Sequence, residues 1–585
     1  MRYRGSVMKV LRYALLLALL LATKAPNDVA RRRPLDLAEL ELPPGFVIER
    51  HVQGLSGPRF MAFSPTGVLF VSEMGAGRIR AIPEPGRLEI FASGLRQPHG
   101  LAFRGNDLYV AENHRIIVYR NATNPSLRGT TPEVVADLPS VGGGHSTRSI
   151  LFTPEGKLLA TAGSTCNVCN ETDPRRAAAM LFNADGSGME IFSRGLRNSV
   201  GIAVHPATGE VWSVDNGRDN LGDDLPPEEI NILRPGGDYG WPRCYGDRRR
   251  NPEYPSADCS STLQPELEMQ AHSAPLSITF YTGDTFPARY LHDAFAGFHG
   301  SWNRNEPTGY KVSRVLASSG RAAGIEDFVG GFLRAGTTSG RPVGVLTGPD
   351  GALYVSDDLN GVIYRVSYRG PRLNPGGAVS AAAATGVAPG ALVSLYGKNL
   401  KAQELGAASL PLPLNLEDVS VTVAGRAVPL LYAGPQQVNF QMPFGVHGRV
   451  PIALTNGVTT DLLEVEVRTA APAIFTQDQS GSGLGAIRVS DQALEIYCTG
   501  LGEVDQPVAA GAAAPSSPLA HALAGVTVTI DGWQVDASFA GLAPGYAGLY
   551  QVNAPIPAGA RRGSRVLVVL TAGGAASNVV EVVLP

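Results

Sequence analysis

The chain has 585 residues, 49 basic against 52 acidic for a net charge of −3, with 17% charged and 44% hydrophobic residues. With 69 glycines and 44 prolines it is too long for one core and too turn-rich for a helical protein, so several mostly β domains are expected. Nothing in this charge balance resembles the basic footprint of a nucleic-acid-binding protein, and no nucleic-acid partner is expected.

At the N-terminus Arg2, Arg4, Lys9 and Arg12 are followed by an apolar run from Ala14 to Ala22, too short to span a bilayer comfortably and placed like a signal peptide. Residues 1–25 are therefore expected to be a signal peptide cleaved near Ala25, with an uncleaved anchor as the alternative. Its removal takes away five basic residues and no acidic ones, which moves the net charge from −3 to −8. The mature chain is expected to be secreted or periplasmic and to have no membrane span.

From Pro58 the segment PRFMAFSPTGVLFVS reads as strand, tight Pro/Gly turn, strand. The same pattern returns from Pro98, Arg148 and Ser199, in degenerate form from Pro275, and cleanly from Pro342. Six copies at spacings of about 40 to about 75 residues predict a six-bladed β-propeller over residues 42–368, with loops of varying length. The fold class is therefore all-β.

After Tyr368 the composition shifts. Residues 369–389, rich in Pro, Gly and Ala, are expected to be a linker. Residues 390–585 are expected to form tandem β-sandwich modules, because the pattern from Val421 is echoed from Val526. These modules hold no clustered His, Asp or Cys, so adhesion, spacing or wall association is expected of them, with a carbohydrate-binding surface as the alternative.

Five cysteines fit an oxidising compartment, with Cys166–Cys169 and Cys244–Cys259 read as local disulfides stapling two loops and Cys498 left free. Half of a zinc site or a redox pair is the competing reading of Cys166-Asn167-Val168-Cys169.

Three motifs at the edges of the repeats could carry chemistry. In Gly142-Gly143-Gly144-His145-Ser146-Thr147-Arg148 a histidine stands in a glycine run before a strand, and a neutral imidazole on a loop suits a general base near neutral pH. Gly195-Leu196-Arg197-Asn198 brings a cation and an amide. The loop Asn216 to Glu229 offers both carboxylates and carbonyls, the hard oxygens that calcium prefers. Each also has a plain structural reading: a histidine satisfying turn carbonyls, an arginine capping a blade edge, a solvated acidic loop.

Taken together, GGGHSTRS, GSTCNVCNET, GLRNSVG, NGRDNLGDDLPPEEIN, DYGWP, FHGSWNR and GRPVGV resemble the soluble glucose/sorbosone dehydrogenase family, and its sorbosone-type branch more than its glucose-type branch. Members are six-bladed quinoproteins that use pyrroloquinoline quinone (PQQ) and calcium. The resemblance covers roughly residues 42 to 368. It implies His145 as the base and Arg197 beside the reactive carbonyl as catalytic residues. It implies Asn198, Arg304, Arg341, His99 and Trp302 as cofactor-binding residues; Trp241 is read with Trp302 as a wall of the substrate cleft or a cover on the cofactor ring, with a plug at a blade junction as the equal alternative for a Trp after Tyr-Gly. It implies Gly222, Asp223, Asp224 and Glu228 at the metal, the first two through backbone carbonyls. The chain departs from the glucose-type pattern near Arg304 and Arg341, where that branch has two arginines and a lysine. The C-terminal half is similar to a domain recurrent in secreted acidobacterial proteins, whose role is unassigned.

The expected function is an exported PQQ- and calcium-dependent dehydrogenase that oxidises a small-molecule sugar, sugar aldehyde or polyol by hydride transfer and passes electrons to an external acceptor. Cell-surface association through the C-terminal modules is expected with it. The competing readings are a calcium-dependent lactonase or esterase on a propeller, and a non-catalytic carbohydrate- or adhesion-type binding propeller. A propeller fold is compatible with all three.

Overall fold

The structure, a computed structural model, describes residues 31–124, 131–140 and 143–585. The expected signal peptide and Gly142 lie outside them. Contacts divide the chain into a unit ending at Ser367 and a unit from Tyr368 to Pro585.

The first unit is a six-bladed β-propeller. Its innermost strands are Pro58–Phe63, Leu101–Arg104, Arg148–Phe152, Ser199–Val204, Pro275–Phe280 and Pro342–Thr347, each at or within three residues of the start of a sequence repeat. Four blades are built from four consecutive strands, the blade of Arg148–Phe152 gaining Gly237–Asp238 at its outer edge; the blade of Ser199–Val204 takes Leu267–Met269 as its outer strand after intervening strands. The sixth is completed by Phe46–Gln53 from the N-terminal side, which pairs with Val362–Tyr368 and so closes the ring.

Closure demands that neighbouring innermost strands come close. Gly100, Gly201 and Gly344 hold the third position of their repeats, and a Cβ on Gly201 would lie 2.6 Å from the Ser277 Cα of the next blade. Serines bridge the same seam. The Ser356 hydroxyl donates to the Arg59 carbonyl (2.6 Å), Ser72 to His99 (2.8 Å), and Ser277 to Val343 (2.5 Å). The channel along the axis, about 310 Å3, is lined by side chains such as Phe60, Met61, Leu101, Ile150, Val345 and Thr279 and by no titratable group. Chemistry is therefore confined to its mouths.

The second unit holds two β-sandwiches of matching topology. In the first, Val419–Val423 pairs with Gly448–Asn456, and Leu430–Ala433 with Gln437–Gln441. In the second, Val526–Ile530 pairs with Arg565–Ala572, and Phe539–Leu542 with Tyr550–Pro555. Alternation puts Val419, Val421 and Val423 into one core and Val566, Val568 and Leu570 into the other.

The stretch expected as a linker differs. Arg372–Ser380 is a nine-residue strand paired antiparallel with Leu392–Lys398. Its small residues are the reason: Gly377 brings the strand so close that a Cβ would sit 2.7 Å from the Tyr396 carbonyl. In sequence, that composition looks like disorder.

Two outcomes follow from this architecture. Gly201→Ala is expected to destabilise the protein by about 1–3 kcal/mol through overpacking at the blade seam, whereas Gly75→Ala, where nothing lies within 4 Å of the new Cβ, leaves thermal denaturation unchanged. A chain truncated after Arg369 is expected to fold with cooperative thermal unfolding; insoluble or non-cooperative material would show that the propeller needs the sandwiches.

Candidate functional site

Four buried carboxylates hold the loops at one mouth of the channel. Each stands at or just beyond the end of a blade's second strand and accepts backbone N–H groups from the loop that enters that blade's innermost strand. Glu73 accepts from Ser56 (2.6 Å), Glu112 from Arg96, Asp215 from Arg197 (3.0 Å) and Asn198 (2.6 Å), and Asp357 from Arg341 (3.0 Å). The motif Arg197-Asn198 is thus fixed through its main chain before its side chains do anything.

His145 is held from three sides. Its Nδ1 lies 3.0 Å from the Ser164 carbonyl and 3.1 Å from the Ser164 Oγ, whose own proton goes to the Cys166 carbonyl (2.6 Å). Nδ1 therefore carries the proton and Nε2 is left with a bare lone pair. The His145 carbonyl accepts from the guanidinium groups of Arg148 (2.9 Å) and Arg176 (3.1 Å). Gly163 allows the approach, because a Cβ there would meet the Asn198 Oδ1 at 2.5 Å and the His145 Cβ at 2.8 Å. Burial, then the charge of Arg197 and of Arg148 and Arg176, lowers the imidazole pKa to about 4, so the ring is neutral at physiological pH.

His145, Arg197, Asn198, Glu228 and Trp302 line one cavity of about 230 Å3. All five donors of Arg197 are used within the chain. Nε donates to the Asn167 carbonyl (3.3 Å), Nη1 to the carbonyls of Asn216 (3.2 Å) and Gly217 (2.6 Å), and Nη2 to the side chains of Asn167 (3.0 Å) and Asp219 (2.9 Å). Arg197 thus acts on the cavity as a fixed charge rather than as a free donor. The Asn198 amide has no partner among the described residues and is the free hydrogen-bonding group. Glu228 is buried and accepts from the backbone of Gly217 (2.7 Å) and Ala274 (3.1 Å); burial raises its carboxyl to about 7. Trp302 is 57% exposed at the rim.

The other expected residues do not line this cavity. His99 is fully buried against Phe60 (ring centroids 4.2 Å apart), its Nδ1 faces the Arg148 carbonyl (3.2 Å), and its Nε2 has no partner among the described residues. Burial, helped by Arg59 and Arg148, holds its pKa down at about 3. Arg341 donates to Asp358 (2.6 Å), which Arg59 (2.8 Å) and His299 (3.0 Å) share at the same mouth, and the Arg59 Nε is buried with no partner among the described residues. Arg304 donates to the carbonyls of Asp223 and Ala271 (3.3 Å). Gly222 is exposed and its carbonyl accepts from His272 Nε2 (2.8 Å). Asp224 is 92% exposed, 3.6 Å from Arg304. The carboxylates of Asp223, Asp224 and Glu228 form no metal-binding cluster among the described residues: Glu228 is buried at the start of its blade's third strand, whereas Asp224 is exposed.

The sequence reading missed Asn167, Asp219, His272 and Asn303, which surround Arg197 and the acidic loop. Asn167, Asp219 and Asn303 lie inside GSTCNVCNET, NGRDNLGDDLPPEEIN and FHGSWNR, but their types there announce no role; His272, joined to Asn303 by a 3.2 Å hydrogen bond, lies in none of the motifs. Both expected disulfides are formed and Cys498 is a buried free thiol. Because Cys166 and Cys169 are bonded to each other, neither thiolate is available for the zinc alternative. Among the described residues no helix is long and apolar enough to cross a membrane.

Fold and site together define a class: six-bladed propellers with a neutral histidine and a cluster of arginines at one mouth. A family profile described as TrAA12-like matches residues 40–248 and 247–369, and the chain belongs to that family. An uncharacterised protein of Borreliella burgdorferi is 33% identical over 349 residues, covering 56% of this chain and 91% of the relative. A pyrroloquinoline quinone-dependent sugar dehydrogenase of Hypocrea jecorina is 28% identical over 313 residues, covering 42% of this chain and 70% of the relative. Among solved structures, the calcium structure of a Trichoderma reesei enzyme of Carbohydrate-Active Enzymes Family AA12 shares the propeller fold, with a TM-score of 0.50 at 22% identity over 59% of this chain and 99% of that one.

The Glu228 carboxyl supplies a test of this geometry. Its folded pKa of about 7 exceeds the usual 4.5, so the native protein keeps a proton that the unfolded chain releases. Its contribution to stability is present below the unfolded value and declines as pH rises toward 7. In calcium-free buffer, the melting temperature of the wild type relative to E228Q is expected to fall between about pH 5 and about pH 8. A pH-independent difference would mean that Glu228 is already ionised in the fold.

Proposed function

We propose that this protein is an exported PQQ- and calcium-dependent dehydrogenase that oxidises a sugar, sugar aldehyde or polyol and passes the electrons to an external acceptor. The observation that carries this reading is one cavity that combines a neutral imidazole, its bare Nε2 held in place, with a buried arginine charge and a free amide. Family membership and the activity of the Hypocrea jecorina relative support it.

The donor set suits a flat polyanion. Arg197 supplies fixed positive charge beside His145, the Asn198 amide is free to donate, and Arg59, Arg341 and His299 surround a single carboxylate, Asp358, at the same mouth. The buried Arg59 Nε and His99 Nε2, both without partners among the described residues, are sites that a ligand's polar groups would satisfy. When bound, PQQ supplies the electrophilic centre that accepts a hydride.

The chain's own residues do the rest. His145 Nε2 takes the substrate hydroxyl proton, and the Ser164 contacts hold the ring so that only this nitrogen is basic. The imidazolium so formed lies beside Arg197, whose charge returns the proton readily once turnover is complete. Trp302 offers an exposed aromatic face to a sugar ring at the rim. Calcium at the Gly222 and Asp223 carbonyls would have to displace the His272 and Arg304 contacts those oxygens accept in this structure, and no carboxylates gather there among the described residues. The basic and apolar N-terminus supports export.

His145→Ala is expected to lower turnover by roughly 10²- to 10⁴-fold, the usual scale for losing a general base, with much less effect on PQQ affinity. PQQ titration followed by steady-state rates on both proteins checks this. Equal turnover of the two fully loaded proteins would rule out His145 as the base, and failure of the wild type to take up PQQ would sink the dehydrogenase reading.

A further inference from the structure

We propose that Asn167, enclosed by the Cys166–Cys169 disulfide, is the positioning residue that sets the Arg197 charge against His145. What this does to turnover rests on the function proposed above; the positioning itself does not.

Asn167 makes five hydrogen bonds that tie together three segments far apart in sequence. Its Oδ1 accepts from Arg197 Nη2 (3.0 Å) and from the backbone N–H of Asp219 (2.8 Å), and its Nδ2 donates to the Asp219 carbonyl (3.0 Å). Its own carbonyl accepts from Arg197 Nε (3.3 Å) and from the Trp241 indole (3.1 Å). The side chain thus meets the Asp219 peptide with both donor and acceptor, a two-point match that a hydroxyl or carboxylate cannot reproduce. Asp219 in turn pairs with Arg197 (2.9 Å) and accepts from Asn303 (2.9 Å), so the acidic loop is registered against the guanidinium through Asn167.

The disulfide explains how a half-exposed loop residue can hold such a position. Its sulfurs flank Asn167 and Val168 and close the loop, and Glu171 ties the loop base by accepting from the Thr165 N–H (2.6 Å) and hydroxyl (2.9 Å). The same loop reaches His145, because the Ser164 hydroxyl that accepts from Nδ1 is itself oriented by the Cys166 carbonyl. One clamped loop therefore places both the base and the guanidinium charge beside it. Arg197 alone could not do so, since its other partners are carbonyls and a carboxylate of the loop that Asn167 holds.

The test uses the full chain with 15N-labelled arginine, the Arg197 Nε–H signal being assigned by its loss in Arg197→Lys. In apoprotein, Asn167→Ala keeps the backbone carbonyl to which Nε donates but removes the Oδ1 bonds to Nη2 and to Asp219 that hold the guanidinium in place, and the loosened guanidinium is expected to show solvent exchange of that Nε–H faster by about tenfold or more, the scale of losing one hydrogen bond to a charged group. Val168→Ala, in the same loop but without a bond to Arg197, is expected to leave it unchanged. With cofactor, Asn167→Ala is expected to weaken PQQ uptake and lower turnover at saturation by about 10- to 100-fold, the usual scale for residues that orient a site. Asn167→Asp, which keeps the acceptor and loses the donor, is expected to fall between. If Asn167→Ala does not fold, Asn167→Ser, too short to reach Asp219, replaces it with the same expected losses. Unchanged exchange in the alanine variant, or an equal effect in Val168→Ala, overturns the proposal. Faster exchange in a protein whose wild type takes up no PQQ supports the positioning role and instead defeats the cofactor reading.

Discussion

Everything at the functional mouth depends on carboxylates buried at the ends of second strands. Burying a carboxylate without partners is costly. Here the cost is offset by backbone N–H donors from the neighbouring loop, so the loop is ordered by the same bonds that make the burial tolerable. Asp215 is the instance that matters for chemistry: burial and the nearby Glu229 push its carboxyl well up, while the N–H groups of Asn198 and Arg197 pull the other way. The loop that carries the arginine and the free amide cannot shift without exposing that carboxyl to an unpaired, buried state.

The second dependence is electrostatic. Three histidines at this mouth, His99, His145 and His299, are held neutral by burial. His145 and His99 are pushed further by neighbouring arginines, whereas His299 has Asp358 pulling against burial. Asp358 is held far below the usual carboxylate range by His299, Arg59 and Arg341, despite burial. At this mouth two guanidinium groups, Arg59 and Arg341, share the single carboxylate of Asp358, and the neutral His145 stands beside the Arg197 charge. This combination suits an anionic flat ligand and a proton acceptor side by side, and it arises from burial as much as from residue type.

The C-terminal unit follows a different logic. Its two sandwiches repeat one hairpin arrangement, and their interiors are filled by small aliphatic residues such as Val421, Val423, Val528 and Val568. The buried Cys498 thiol, pushed up by burial, is chemically quiet packing.

By itself the sequence determined the architecture, because blade repeats and the sandwich duplication are written in local alternation and turn residues, from Pro58 through Pro342 and again from Val421 and Val526. It also marked His145, Arg197 and Asn198, whose glycine neighbours announce close approach of backbone, and both local disulfides. Only the tertiary structure decided which of the marked residues meet. Arg304 and Arg341 turned to carbonyls and to Asp358, and Asp224 turned to solvent, because a loop's direction is set by long-range partners such as His272 on the Gly222 carbonyl. Asn167 was visible only as filler between two cysteines. Its role depends on Arg197, Asp219 and Trp241, which lie 30, 52 and 74 positions away in the chain. The segment 372–380 was hidden for the converse reason: residues small enough to let two backbones touch look, in sequence, like residues with nothing to pack against.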